Sequence, residues 1–196
     1  MKVLLTILFF GWVAGCVGQK SYNDSIREYR MSYVSHHEVV GKDDKRFMQF
    51  FPVDPKMRVE CQFTPAKDNK WFPIKTSSGT SKMHRKYGLL TFKIDGEKYN
   101  LTVYQSQGLM TTDEYKDYLF IPFTDETSGK ESYEGGRYLD CTIGDIQNNR
   151  LLLDFNKAYN PYCAYATGYN CPIPPKENDL PVKILAGERA FSKSKN

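Results

Sequence analysis

Tyr22, Ile26, Tyr29 and Tyr33 recur at spacings of four, three and four, the period of one helical face. Ser21, three residues before Asp24, supplies a helix start, because a serine hydroxyl accepts a free amide of the first turn. The pattern predicts an amphipathic helix whose face is either packed on the domain or presented to a partner. Gly41-Lys42-Asp43-Asp44-Lys45-Arg46 breaks it, and from residue 47 the period turns strand-like. Phe47, Met48, Phe50 and Phe51 precede Pro52, and Met57, Val59, Cys61 and Phe63 alternate before Pro65. Leu90, Phe92 and Ile94 share one face, Asp95-Gly96 makes a two-residue turn, and Tyr99, Leu101 and Val103 resume the alternation. Tyr118 to Phe123 reads as another strand, and Arg137 to Ile143 with Arg150 to Phe155 as a hairpin around Asn148-Asn149.

Seven or eight short strands without alternating helices leave no room for parallel crossovers. The expected fold is therefore mainly β, an antiparallel barrel or sandwich with an N-terminal α-helix. Pro161, Pro172, Pro174, Pro175 and Pro181 mark the last forty or so residues as a long irregular segment wrapping the sheet. The chain of 196 residues is one domain's length, and 14% aromatic with 26% charged residues excludes a disordered or collagen-like chain. A formal charge of +4 is too small and too dispersed for a nucleic-acid-binding face.

One apolar run does not belong to the sheet. Met1-Lys2, the run from Val3 to Val13 and Ala14-Gly15-Cys16 have the order of a secretory leader, and the run is too short for a bilayer core of about 30 Å. Val13-Ala14-Gly15-Cys16 resembles the lipobox of bacterial lipoproteins, which implies acylation of Cys16; the alternative is an ordinary leader with a chance cysteine. The expected organisation is thus 1–16 lipoprotein signal, 17–46 tether and amphipathic helix, and 47–196 a single β-rich domain. It places the protein in the cell envelope, lipid-anchored, and the lack of Asp at position 17 fits outer-membrane sorting.

Three stretches are dense in Gly, Asp, Asn, Tyr and Arg: 123–140, 154–164 and 171–181. The first carries Phe123, Asp125, Thr127, Gly129, Glu131, Tyr133 and Gly135-Gly136-Arg137-Tyr138. The second carries Asp154-Phe155-Asn156 and Ala158-Tyr159-Asn160-Pro161, and the third Cys171-Pro172, Pro174-Pro175 and Glu177-Asn178. With Ala186-Gly187-Glu188 and Pro52-Val53-Asp54-Pro55, these segments resemble a bacterial and archaeal domain of unknown function numbered sixteen eighty-four. Ser132 stands where that family usually has Thr, and Glu134 where Gly is common. The resemblance implies a shared fold and a shared site, and it brings no reaction.

If strand ends bring the stretches together, Asp125, Glu131, Arg137, Asp154, Asn156 and Asn160 form a polar cluster walled by Tyr133, Tyr138 and Tyr159. One reading is a pocket for a carbohydrate or an anionic small ligand, with Arg137, Tyr138, Asn156, Tyr159, Asn160 and Tyr133 as its binding residues. The other is scaffolding, with Asp and Asn capping loops and Arg137 cross-linking them. Asp125 and Asp154 are the candidate carboxylate pair for a hydrolase acting on a glycan or cell-wall substrate. Only His36, His37 and His84 supply imidazole, and none lies in the dense stretches, so neither a histidine triad nor a zinc site is expected. No cofactor and no metal are expected. Cys163 and Cys171, eight apart, form a disulfide in an oxidising compartment, the alternatives being free thiols or a metal, whereas Cys61 and Cys141 on alternating strands read as buried thiols. The leading functional reading is a non-catalytic, membrane-anchored envelope domain that binds a ligand or scaffolds; the alternative is the paired-carboxylate hydrolase.

Overall fold

The structure, a computed structural model, describes residues 20–193. The segment read as a leader and the expected acylation site Cys16 lie outside the described residues. Helix α1 spans Tyr22–His36, and its Ser21 cap accepts from the Asp24 amide. The periodic stripe packs on the domain: Ile26 is buried, the Tyr22 hydroxyl donates to Asp154 at 2.9 Å, and the Tyr33 hydroxyl donates to Glu188 at 3.3 Å. No helix among the described residues is long and apolar enough to cross a membrane.

Eight strands follow: β1 Arg58–Pro65, β2 Phe72–Lys75, β3 Ser81–Ile94, β4 Glu97–Ser106, β5 Tyr118–Asp125, β6 Arg137–Thr142, β7 Arg150–Asp154 and β8 Asp179–Leu180. The main path runs β6-β5-β4-β3-β1-β7, with β2 on β3 and β8 on β5. All pairings are antiparallel except β5 with β8. The Asp95-Gly96 hairpin forms as read, both residues taking positive φ between β3 and β4.

Two sequence expectations differ from the structure. Phe47 to Phe51 forms no strand: Lys42–Phe47 is a 3₁₀ turn, and Phe50 makes an isolated bridge to Glu188. The apolar spacing there buries Met48 and Phe51 beneath the C-terminal segment, and Pro52 ends the run. Asn148 and Asn149 do make a positive-φ turn, closed by reciprocal bonds between Gln147 and Arg150, but β6 and β7 are not partners. They sit at opposite ends of the sheet path. A flat sheet would hold these ends about 24 Å apart, five interstrand spacings. Residues 143–149, largely used up in a 3₁₀ turn and that tight turn, cannot bridge such a gap. The sheet is accordingly curled into an open half-barrel.

Strand alternation separates two faces. Leu90, Phe92, Ile94, Leu101, Val103, Leu119, Ile121, Phe123, Leu139 and Cys141 point inward and form the core with Phe155 and Ile184. The intervening residues of β4, β5 and β6 face the other way. In β3 the register slips between Lys86 and Gly88, so Tyr87 is an extra residue and every position before it changes face. Without the bulge, His84 would share the core face with Leu90; with it, His84 sits opposite Ser106 on the outer face. Gly88 permits the kink, since a Cβ there would meet the Phe63 ring at 2.2 Å and the Thr64 carbonyl at 2.8 Å.

Candidate functional site

The outer face of β5 and β6 is the floor of a cleft of about 1150 Å³. Tyr118, Phe120 and Tyr138 form that floor, because period two assigns their neighbours Leu119, Ile121 and Leu139 to the core. The C-terminal half of α1 contributes Tyr29 and Tyr33, the residue capping its end is His37, and residues after β7 contribute Tyr159, Asn160 and Tyr162. Tyr169 and Asn170 line the cleft from the loop that the Cys163–Cys171 disulfide closes. The rings interlock edge to face: Phe120 lies 4.7 Å from Tyr138, Tyr162 lies 5.2 Å from Tyr169, and His37 lies 5.5 Å from Tyr33. Tyr162 and Tyr169 remain substantially exposed, leaving ring surface for a ligand.

All three histidines of the chain line this cleft, although sequence reasoning set them aside as lying outside the dense stretches. His36 and His37 arrive on the end of α1 and His84 through the β3 bulge. The Val40 amide donates to His37 Nδ1 at 3.1 Å, whereas His84 Nδ1 donates to the Lys82 carbonyl at 2.9 Å. Burial, aided by the Lys45 charge, pushes the His37 pKa down to about 4. Burial likewise lowers that of His84. Both are neutral imidazoles at pH 7. Among the described residues, no group of three or more His, Cys, Asp or Glu is placed to hold a metal ion.

Behind the cleft wall stands Glu188, fully buried, accepting from the Tyr165 hydroxyl at 2.6 Å, the Asn160 amide at 2.9 Å and the Tyr33 hydroxyl at 3.3 Å. Burial outweighs these donors and raises its pKa from 4.5 to about 7. A folded state that holds a proton more tightly than the unfolded chain is favoured most at low pH. The Glu188 contribution is therefore full below about pH 4.5 and is lost as the pH rises through about 7. His37 has the opposite sign: its contribution is full above pH 6.5 and is lost as the pH falls through about 4. Urea titrations of wild type and Glu188→Gln will separate the two, with the variant gaining on wild type between about pH 5 and about pH 8. A constant difference across that range would remove Glu188 as the source.

Of the residues read from the sequence as a binding set, Tyr138, Tyr159 and Asn160 line the cleft, and Tyr133, Arg137 and Asn156 do not. Arg137 is fully buried. It donates to the Asp125 carboxylate at 3.0 Å, to the Ile184 carbonyl at 2.8 Å, and to the Ala186 and Glu188 carbonyls. Asp125 also accepts from the Ile184 amide at 2.7 Å. The pair fastens residues 184–188 across the sheet. Asn156 is equally buried, donating to the Asp54 carbonyl at 2.7 Å and accepting from the Asp54 amide at 2.9 Å. Asp154 holds Tyr22 of α1, so Asp125 and Asp154 serve separate networks and neither lines the cleft. Tyr133 donates to the Cys163 carbonyl at 3.4 Å, next to the disulfide. Cys61 and Cys141 are buried free thiols, their pKa pushed up to about 12 chiefly by burial.

A family model described as "Protein of unknown function (DUF1684)" matches residues 46–189. The chain belongs to this family. The DUF1684 match covers the sheet, the Arg137–Asp125 fastening and Glu188, and it begins after α1. A solution NMR structure of an uncharacterized protein from Haloarcula marismortui is similar at 29% identity with a TM-score of 0.66, covering 87% of this chain and 95% of that one. No curated protein matches. The DUF1684 fold and its motifs thus come without a reaction, and the chemistry rests on the cleft.

Proposed function

We propose that this protein is a non-catalytic binding domain of the cell envelope whose tyrosine-lined cleft takes a neutral saccharide. The observation that carries the reading is the makeup of the cleft: aromatic rings on floor and walls, with neutral hydrogen-bonding groups of Asn160, Asn170 and Gln107 among them. Sugars present apolar ring faces and a fringe of hydroxyls, and rings with amide and hydroxyl partners complement both. Lys82 and Glu38 both line the cleft, so it gathers no single sign of charge for an anionic ligand. Its volume of about 1150 Å³ lies just above the range of about 300–1,000 Å³ usual for small-ligand sites, and suits an oligosaccharide. The sequence from Met1 to Cys16 supports an envelope address, with acylated Cys16 tethering residues 17–46 and the β-rich domain from 47 to 196 to a membrane, the outer membrane being the favoured one. The mass of the mature chain from a native host tests that clause.

The experiment for the cleft is isothermal titration of the full chain with cellotetraose, maltotetraose and chitotetraose. Tyr162→Ala and Tyr169→Ala are expected to weaken the best of these by about tenfold or more, as loss of an exposed aromatic anchor does, while leaving the thermal midpoint nearly unchanged. Wild-type protein that binds none of the three refutes the saccharide reading.

A further inference from the structure

The two exposed tyrosines of the cleft are held in different ways. Tyr162 stands on a 3₁₀ turn, Tyr162–Ala164, whose Ala164 is buried, and its ring lies 5.7 Å from that of His37. Tyr169, its ring 5.2 Å from that of Tyr162, belongs to a stretch without regular structure in which Thr167, Gly168, Tyr169 and Asn170 are all exposed. Two sets of ties hold that stretch. One is covalent: the Cys163–Cys171 disulfide fastens its far end to the packed 3₁₀ turn. The other is a set of hydrogen bonds to residues 77–80. The Ser77 hydroxyl donates to the Tyr169 carbonyl and accepts from the Cys171 amide, each at 3.1 Å, and the Ser77 amide donates to the Cys171 carbonyl at 2.9 Å. Asn170 Oδ1 accepts from the Ser78 and Thr80 hydroxyls at 2.7 and 3.1 Å. Residues 77–80 are themselves exposed, so water competes for these bonds and the two loops can move together. Both cysteines are only partly buried, which leaves their bond open to thiol–disulfide exchange.

We infer that the Cys163–Cys171 disulfide is a redox latch on the cleft: closed, it seats Tyr169 and Asn170 at the cleft wall, and opened by a dithiol, it frees residues 166–170 and weakens the hold on a ligand. The effect on binding rests on the saccharide reading, whereas the release of the loop does not. In the opening step a thiolate of the dithiol attacks one sulfur of the bond, its second thiol resolves the mixed disulfide, and the reductant leaves as a disulfide. Cys163 and Cys171 take up the two electrons and, with two protons, become thiols. A freed loop has to be ordered again when a ligand binds, and that ordering subtracts from affinity. Cys61 and Cys141 stay out of the exchange, because burial raises both thiols to about 12 and leaves almost no thiolate at neutral pH.

The test compares the full chain before and after reduction with dithiothreitol, with iodoacetamide labelling of an aliquot to show that Cys163 and Cys171 have opened and that Cys61 and Cys141 have not reacted. Amide hydrogen exchange at residues 166–170 is expected to speed up by about tenfold or more on reduction, with β5 and β6 unchanged. The tighter of chitotetraose and cellotetraose should bind the reduced chain about tenfold more weakly. A chain carrying both Cys163→Ser and Cys171→Ser should match the reduced chain in both readouts with no reductant present. In Tyr169→Ala, reduction should weaken binding by no more than about twofold, because the ring that the latch positions is already gone. Unchanged exchange at 166–170 in protein whose Cys163 and Cys171 are labelled overturns the latch. Faster exchange with unchanged affinity overturns its control of the cleft and leaves the saccharide reading standing. If no form of the chain binds chitotetraose, cellotetraose or maltotetraose, the saccharide reading fails, and the exchange result alone upholds or overturns the latch.

Discussion

Arg137→Met will destabilise the fold by about 3–5 kcal/mol, the range for breaking one side of a fully buried ion pair. The guanidinium and the Asp125 carboxylate are both inaccessible to water, so removing Arg137 leaves a buried carboxylate held by the Ile184 amide and the Thr127 hydroxyl. It also strips the Ile184, Ala186 and Glu188 carbonyls of their shared donor. Methionine keeps apolar contact with Phe51 and Phe123, whose rings lie 5.7 Å and 5.3 Å from the guanidinium carbon, so packing loss is kept small and the polar loss is isolated. The loss should show in urea unfolding as a lower midpoint at unchanged slope. Adding Asp125→Asn to Arg137→Met should recover part of the loss, because the stranded charge disappears. A single variant within 1 kcal/mol of wild type would mean that water reaches Asp125.

Gly187→Ala is expected to have a comparable effect, about 4 kcal/mol, by a different route. Gly187 has φ of +78°, where an L side chain is strained by about 1–3 kcal/mol. An added Cβ would also lie 2.6 Å from the Ala158 carbonyl oxygen and 2.7 Å from that of Phe155, and such crowding adds about 1–3 kcal/mol. Backbone atoms on both sides leave no flexible group to yield. The neighbouring Glu188 amide donates to the Ala158 carbonyl at 2.8 Å, so displacement here also loosens the wall that carries Asn160. Thermal unfolding measures it, and an unchanged midpoint would show that the 184–188 segment is not seated against Phe155 and Ala158.

These two effects explain which parts of the fold were readable from the residues alone. Short-range signals carried through: Ser21 caps α1, the Tyr22–Tyr33 stripe meets the domain, and Asp95-Gly96 turns β3 into β4. Long-range pairing did not. Arg150 to Phe155 looked like the partner of Arg137 to Ile143, yet β7 pairs with β1, because a turn of positive-φ Asn148 and Asn149 fixes a local reversal and says nothing about which strand lies next door. The polar residues of the dense stretches were visible, but the same residue types serve for scaffolding and for binding. In the structure Asp125, Arg137 and Asn156 brace chain segments, and Tyr138, Tyr159 and Asn160 line the cleft. His84, set aside as lying outside the dense stretches, reaches the cleft through a feature that alternation does not show. Its alternation with Leu90 points to the core, and only the extra residue at Tyr87 turns it outward. His37 sat at the end of a helix whose stripe was seen, but the cleft that it faces is closed by chain more than a hundred residues later.

The central claim, that the tyrosine-lined cleft is the binding site, is tested most directly by chemical-shift mapping of the isotopically labelled full chain during titration with chitotetraose and cellotetraose. The account predicts saturable shifts concentrated at Tyr33, His37, Asn160, Tyr162 and Tyr169, with the Asp125–Arg137 region nearly still. Saturable shifts centred on Asp125, Arg137 or Asp154, with the cleft residues unmoved, would contradict it.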